Sequence, residues 1–207
     1  MQLSMAELQA AREHLLAAPK DGGELRLIVA RPRPGERELV PESFLDLVTG
    51  LVGDNWLERG SRHTPDGSAI PDMQVTVMNA RVAALVAGGT ASMGLAGDQL
   101  YVDLDLSVDN LPPGSRLAIG DAVLEVTAPP HTGCAKFVAR FGEDAMRFVN
   151  SRDGRAHRLR GMNTRVVVPG TVRVGDRCVK VGVSRPAAVP TQAVAVAAAG
   201  PAPSLAE

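Results

Sequence analysis

Aromatic residues, cysteines and long apolar runs are all scarce in this chain of 207 residues. Aromatic residues make up only 3% of it, so alanine, valine and leucine must build the core. Two cysteines are too few for a disulfide framework. No apolar run reaches the roughly 18 residues of a membrane span, and the N-terminal stretch is amphipathic and charged, unlike a signal segment. These absences predict a cytoplasmic, reducing setting and no membrane partner.

The charges are balanced, with 22 Lys and Arg against 23 Asp and Glu and a net charge of -1. Composition therefore supplies no broad electrostatic reason to expect nucleic acid or an anionic membrane as a partner. Phosphate-binding loops of the forms Gly-x-x-x-x-Gly-Lys and Gly-x-Gly-x-x-Gly are absent.

Short strands separated by turns dominate the pattern. Ser4 and Glu7 form a capping box that predicts a helix over residues 4–18. Further helices are predicted at 41–48, 80–87 and 142–151. Apolar runs bounded by glycine and proline predict strands at 25–32, 73–79 and 100–107, two more within 111–130, and a β run with turns over 164–181. We therefore expect a mainly β fold, a barrel with a few short peripheral helices.

Three segments are expected along the chain. Residues 1–23 form an N-terminal helical extension, and residues 24–183 form the β-barrel domain. Residues 184–207 are biased to alanine and proline with almost no charge, which predicts a disordered tail, either inert or partner-binding. Within the barrel, the polar stretch 57–72 is long for a loop of a compact domain and is either functional or mobile.

The stretch "APPHTGCAKF" (128–137) places Cys134 among prolines and a glycine, just after a predicted strand. A buried structural cysteine usually lies inside a strand or helix, whereas loops at strand ends present reactive groups. Cys134 is thus a candidate nucleophile or metal ligand, against the alternative of an inert, half-buried thiol. Cys178 alternates with valines in "VGDRCVKVG", which predicts core packing.

The order of several motifs resembles the MOSC domain, named after the C-terminal part of molybdenum cofactor sulfurases. The resemblance covers roughly residues 24 to 181. The segments that carry it are "LIVARPRPGERELVPE", "GLVGD", "VTVMNARVAALVA", "GLAGDQLYVDLDLS", "LPPGSRLAIGDAVLEVTAPPHTGC" and "RGMNTRVVVPGTVRVGDRC". The fifth ends on Cys134, at the position of the family's functional cysteine.

The resemblance implies a barrel-like β fold that binds the molybdenum cofactor, a molybdopterin, or handles its sulfur. The cysteine then ligates molybdenum or carries sulfur as a persulfide. Two departures stand out. The family usually has proline directly before the cysteine, where this chain has Gly133, and a His-Gly-Gly element expected before residue 80 is missing.

The cofactor carries a phosphate, which arginine matches with a rigid fork. The resemblance makes Arg160, Asn163 and Arg165 the preferred cofactor-binding residues. Asp98 is a further candidate to line the pocket, with a turn-forming role as the alternative. Arg59, Arg62 and His63 of the polar loop, together with Arg158, are further sources of positive charge. His131 and Lys136 would favour the Cys134 thiolate if they face the same cavity.

Two functional classes remain open. The first is an enzyme centred on Cys134: a molybdenum-dependent reductase of N-hydroxylated compounds, or a sulfur-transfer protein. A reductase would need redox partner proteins, because the chain carries no iron–sulfur, flavin or haem signature. The second is a non-catalytic cofactor carrier or protein-interaction barrel. Pyridoxal phosphate is not expected, since the residues outside the MOSC-like region are too few for the domain that binds it.

Overall fold

The structure is a computed structural model that describes residues 2–182. The predicted tail at 184–207 lies outside the described residues. The strands are β1 (Gly23–Ala30), β2 (Glu38–Val40), β3 (Glu42–Asp46), β4 (Gly50–Leu51), β5 (Val75–Asn79), β6 (Leu100–Asp103), β7 (Arg116–Ile119), β8 (Ala122–Val126), β9 (Met162–Val168), β10 (Gly170–Arg173) and β11 (Arg177–Val181). The helices are α1 (Met5–Ala10), α2 (Arg12–Leu16), α3 (Trp56–Arg59), α4 (Ala80–Ala87), α5 (Ala135–Asn150) and α6 (Arg152–Ala156), with 3-10 segments at Pro71–Met73 and Thr90–Ala96.

Seven strands close into a barrel in the order β11-β7-β8-β9-β5-β6-β1, and β1 pairs back to β11 through Gly23 and Cys178. Strand β5 runs parallel to β6, while its pairing with β9 is antiparallel. A smaller sheet, β10-β3-β4, lies beside the barrel, and β2 extends the barrel sheet along β1. The predicted mainly β barrel with short peripheral helices is confirmed.

The interior of the barrel is one apolar cluster, and a second cluster lies outside it under the helices. On β5, Val77 belongs to the inner cluster and its neighbour Met78 to the outer one, as the alternation of a strand requires. Leu8 of α1 and Leu15 of α2 are buried in the outer cluster with residues of α4 and α5. The N-terminal helices therefore pack onto the domain.

Several sequence predictions match the observed elements closely. The strand and helix predicted at 73–79 and 80–87 correspond to β5 and α4. The predicted hairpin around Gly120 and Asp121 is also present, because Ile119 pairs with Ala122 across a two-residue turn. Along the described part of the chain, none of the helices has the length and apolar character that a membrane crossing requires.

One helix prediction is wrong, and another accounts for only part of the helix that the structure has. Residues 41–48 were expected to form a helix with Pro41 in its first turn, but Glu42–Asp46 is strand β3. Pairing with β10, which sets Leu45 opposite Gly170, outweighs the local preference. The helix predicted at 142–151 is present as the second part of α5, because helical geometry breaks at Gly142, where φ is 89°; the first part of α5, which begins at Ala135, was not predicted.

Candidate functional site

Cys134 stands at the N-terminal end of α5 with its thiol exposed. Its backbone is extended, and its carbonyl accepts hydrogen bonds from the Phe137 amide at 2.8 Å and the Val138 amide at 3.1 Å. The thiol itself makes no capping hydrogen bond. The backbone of Cys134 is therefore held by the helix while its sulfur stays available for chemistry.

Gly133, which replaces the family's usual proline, is explained by its contacts. Its amide donates a hydrogen bond of 3.0 Å to Oδ1 of Asn150. A Cβ atom at this position would lie 2.4 Å from Sδ of Met146. Proline has no amide hydrogen to donate and would crowd Met146, so this packing favours glycine.

The Cys134 side chain lines a cavity of about 200 Å³ that is rich in positive charge. Within residues 2–182, no Asp or Glu side chain lines it. Its cationic lining residues are Arg31, Arg33, Arg37, Arg59, Lys136, Arg140 and Arg160. Although the net charge of the chain is -1, seven cationic residues line the cavity that contains its exposed thiol.

These cations come from four separate segments. Arg31, Arg33 and Arg37 lie on the loop that follows β1, and Arg59 is the last residue of the short helix α3. Lys136 and Arg140 lie on the first part of α5, directly after its N-cap residue Cys134, and Arg160 precedes β9. The closed barrel brings these distant parts of the sequence to one place.

Two of the seven cations are neutralised by buried carboxylates. Arg31 binds Asp54 in a bidentate pair, Nε to Oδ2 at 2.6 Å and Nη2 to Oδ1 at 2.9 Å. Nη1 of Arg160 donates to Oδ2 of Asp98 at 2.6 Å. Both carboxylate side chains are fully buried, so each supports one arginine from behind the cavity.

Positive charge remains in excess in the cavity. Burial, followed by the nearby charges of Arg140 and Arg31, lowers the pKa of Arg37. Burial and Arg31 likewise lower the pKa of Arg59. Nε of Arg37 is also buried without a hydrogen-bond partner among the described residues. Bringing an anion into the cavity would relieve this repulsion.

His131 does not line the cavity. Its ring is buried behind it, with Nδ1 at 3.3 Å from Oδ1 of Asp98. Burial, with a further contribution from Arg160, lowers the pKa of His131 to about 4, and the Asp98 charge only partly opposes this. The imidazole is therefore neutral at pH 7 and adds no positive charge beside Cys134, whereas Lys136 does.

The structure separates the other predicted cofactor residues from the cavity. Asn163 is buried on β9, and its side chain donates to the Pro129 carbonyl at 3.1 Å. Arg165 is half-exposed and pairs with Glu125 at 2.6 Å and with Asp72 at 3.2 Å. Neither residue lines the cavity with Cys134.

The polar loop 57–72 and the arginine-rich segment 155–165 contribute one cavity residue each. Arg59 comes from the polar loop 57–72, and Arg160 from the segment 155–165. Arg62 and His63 are exposed elsewhere on that loop. The cationic lining residues that sequence reasoning missed are Arg31, Arg33, Arg37 and Arg140. The first three stand close together in "ARPRPGER", directly after a predicted strand, and that clustering was the available signal.

The fold and the site define a class of protein: a closed β-barrel that presents one exposed thiol at a cationic cavity. The family model for the MOSC domain matches residues 66–179, which is more than half of the chain. The chain belongs to the MOSC domain family. No curated protein matches it.

Solved structures are similar in fold at low sequence identity. The YuaD protein from Bacillus subtilis aligns with a TM-score of 0.57 and 16% identity, covering 75% of this chain and 93% of its own. The structure of a hypothetical protein aligns with a TM-score of 0.55 and 20% identity, covering 80% of this chain and 71% of its own. At these identities the likeness shows the fold alone.

Proposed function

We propose that this chain binds an anionic cofactor of the molybdopterin class, or carries sulfur for it, through Cys134. The observation that carries the proposal is that, in the described part of the chain, the exposed thiol lines the same cavity as seven cations and no carboxylate. A thiolate is a soft ligand suited to thiophilic metal centres and is also the nucleophile of sulfur transfer. Guanidinium groups suit phosphate.

The residues present fit the charged part of such a ligand. Five of the seven lining cations have no buried carboxylate behind them, and Arg37 keeps a buried nitrogen without a partner among the described residues. The cavity of about 200 Å³ is smaller than the roughly 300–1,000 Å³ usual for drug-sized ligands. We infer that it takes a phosphate-sized anion or the sulfur-bearing end of the ligand, and that the rest lies outside it.

In this proposal each side chain has a stated role. Arg37, Arg59 and Arg140 hold the anionic group and balance its charge, because they lack buried carboxylate partners. When bound, the cofactor would supply redox-active molybdenum with sulfur ligands, and Cys134 would offer it a thiolate.

In the sulfur-carrying alternative, the Cys134 thiolate attacks the outer sulfur of a donor persulfide. A new S–S bond forms on Cys134, and the bond within the donor persulfide breaks. The donor leaves as a thiolate, so atoms and electrons balance without an added oxidant. A reducing, cytoplasmic setting, which keeps both cysteines free, and redox or sulfur-donor partner proteins are parts of the same proposal.

The test is to purify the protein from a host that makes the cofactor and to measure molybdenum and cyanide-labile sulfur per chain. We expect the wild type to hold at least one of them and Cys134→Ser to lose it. Arg37→Met should lower bound molybdenum while leaving a persulfide on Cys134 if sulfur is carried. A wild type with neither, or a Cys134→Ser protein that keeps its content, would contradict the proposal.

A further inference from the structure

We propose that Asp98 is a positioning residue that holds Arg160 and the Cys134 loop in a fixed relation, an inference that rests on the proposed function of the cavity. Asp98 does not line the cavity, although Gly97 beside it does. Its side chain is fully buried behind the lining. Each of its two carboxylate oxygens faces a different segment of the site.

The first oxygen holds the cavity cation. Oδ2 of Asp98 accepts from Nη1 of Arg160 at 2.6 Å, and Nη2 of Arg160 donates to the Ala96 carbonyl at 3.1 Å. The guanidinium carbon lies 5.1 Å from the centre of the Phe137 ring on α5. The Arg160 side chain is 7% exposed, so these contacts leave it little freedom.

The second oxygen faces the loop that carries the thiol. Oδ1 of Asp98 lies 3.3 Å from Nδ1 of His131, three residues before Cys134, and neither atom has a hydrogen-bond partner among the described residues. At 3.3 Å the two atoms are in close polar contact without the geometry of a hydrogen bond, and the neutral imidazole forms no ion pair with the carboxylate. The ring also packs beside Gly161, where a Cβ would come within 3.3 Å of the same nitrogen. Asp98 thus connects the Arg160 segment with the Cys134 loop.

The backbone of Asp98 is itself held in place. Its amide and that of Gly97 donate to the hydroxyl oxygen of Tyr101, at 3.1 and 3.2 Å. Tyr101 is fully buried on β6. Through these bonds the barrel wall fixes the carboxylate, and the carboxylate fixes the two cavity segments.

A positioning role and a purely charge-balancing role for Asp98 predict opposite effects of Asp98→Asn on the attraction of the cavity for anions. If Asp98 only balances charge, Asp98→Asn leaves the cavity more positive and strengthens its attraction for anions. If Asp98 positions Arg160, the same change releases the guanidinium and weakens that attraction. The sign of the change therefore separates the two roles.

The rate at which Cys134 is alkylated measures this attraction without any cofactor. Iodoacetate is an anion and iodoacetamide is neutral, and the same thiolate displaces iodide from both, so their rate ratio reports the positive field at the sulfur. Cys178 is fully buried and does not compete in the folded protein. Glu36→Gln is the matched control, because Glu36 is an exposed carboxylate 3.7 Å from the lining residue Arg33.

We expect Asp98→Asn to lower the iodoacetate-to-iodoacetamide ratio at least threefold, while Glu36→Gln leaves it unchanged or raises it. A ratio in Asp98→Asn that equals or exceeds the wild-type value would overturn the positioning role. The alkylation rates do not depend on molybdenum or sulfur content. The positioning role of Asp98 can therefore be refuted while the proposed function stands, and the proposed function can be refuted while the positioning role stands.

A second variant covers the case in which Asp98→Asn does not fold, since it leaves Arg160 without its carboxylate. His131→Asn keeps the Asp98–Arg160 pair and removes only the ring that faces Asp98. We expect it to change the iodoacetamide rate at Cys134 at least threefold and to leave the rate ratio close to wild type. An unchanged iodoacetamide rate would show that Asp98 does not act on the loop through His131, and it would overturn the proposal.

Discussion

The pair Cys134→Ser and Cys178→Ser tests the assignment of one thiol to chemistry and the other to packing. Cys178 is fully buried on β11, between Gly23 of β1 and Ile119 of β7 in the barrel wall. It belongs to the apolar cluster inside the barrel. Burial, aided by the charges of Asp176 and Glu24, raises its pKa to about 12, so its thiol stays protonated and inert at neutral pH.

The loss of stability expected for Cys178→Ser follows from the burial of this side chain. Placing a serine hydroxyl there without a hydrogen-bond partner costs about 1–3 kcal/mol. Melting temperature falls by roughly 2–4 °C per kcal/mol for a domain of this size. Cys178→Ser should therefore melt roughly 2–12 °C below the wild type. Cys134 is exposed, so Cys134→Ser should change stability by no more than about 0.5 kcal/mol.

Thermal melts followed by circular dichroism, with alkylation rates measured on the same samples, give the comparison. Cys178→Ser should keep the fast-reacting thiol, and Cys134→Ser should lose it. A Cys134→Ser protein that melts as low as Cys178→Ser, or a Cys178→Ser protein that melts at the wild-type temperature, would contradict this assignment. Cys134 would then contribute to packing, or the core would tolerate a buried hydroxyl.

Two further predictions concern His131 and Gly161. The pKa of His131 is about 4 in the folded chain against 6.5 for the free side chain, so between these values the unfolded chain binds more protons and stability falls as pH falls. The wild type should therefore lose up to about 3 kcal/mol of unfolding free energy between pH 7 and pH 4.5, and His131→Asn should lack this loss. Denaturant midpoints of both proteins at the two pH values give the comparison, and an equal loss of stability in both would contradict the prediction. Gly161→Ala should lower the melting temperature more than Gly175→Ala, since both glycines have positive φ but only at Gly161 would a Cβ meet backbone, 2.5 Å from the Val77 carbonyl oxygen. Equal melting temperatures for the two variants would show that this contact is relieved at little cost.

Local chemistry was sufficient to predict much of the barrel. The hairpin at Gly120 and Asp121 follows from a turn sequence between two short apolar runs. The alternation around Cys178 indicated its burial. The strand β3 could not be found in this way, because its pairing partner β10 lies more than 100 residues further along the chain.

The cavity was only partly predictable for a similar reason. Cys134 and Lys136 are neighbours in sequence, so their shared cavity was expected, whereas Arg31 and Arg140 meet only through the closed barrel. Arg160 and Arg165 looked equivalent in "HRLRGMNTR". One precedes β9 and is held by a buried carboxylate, while the other lies on that strand among surface acids. Sequence spacing does not distinguish these two environments.

The central claim is that an anion and the Cys134 thiol share one cavity, and competition between inorganic phosphate and iodoacetate tests it most directly. At constant ionic strength, phosphate should slow the alkylation of Cys134 by iodoacetate in a saturable way. Arg37→Met should raise the half-maximal phosphate concentration about tenfold or more, as expected for the loss of a charged hydrogen bond. Arg165→Met, outside the cavity, should leave that concentration within twofold of the wild type. No effect of phosphate, or an equal loss in both variants, would contradict the claim.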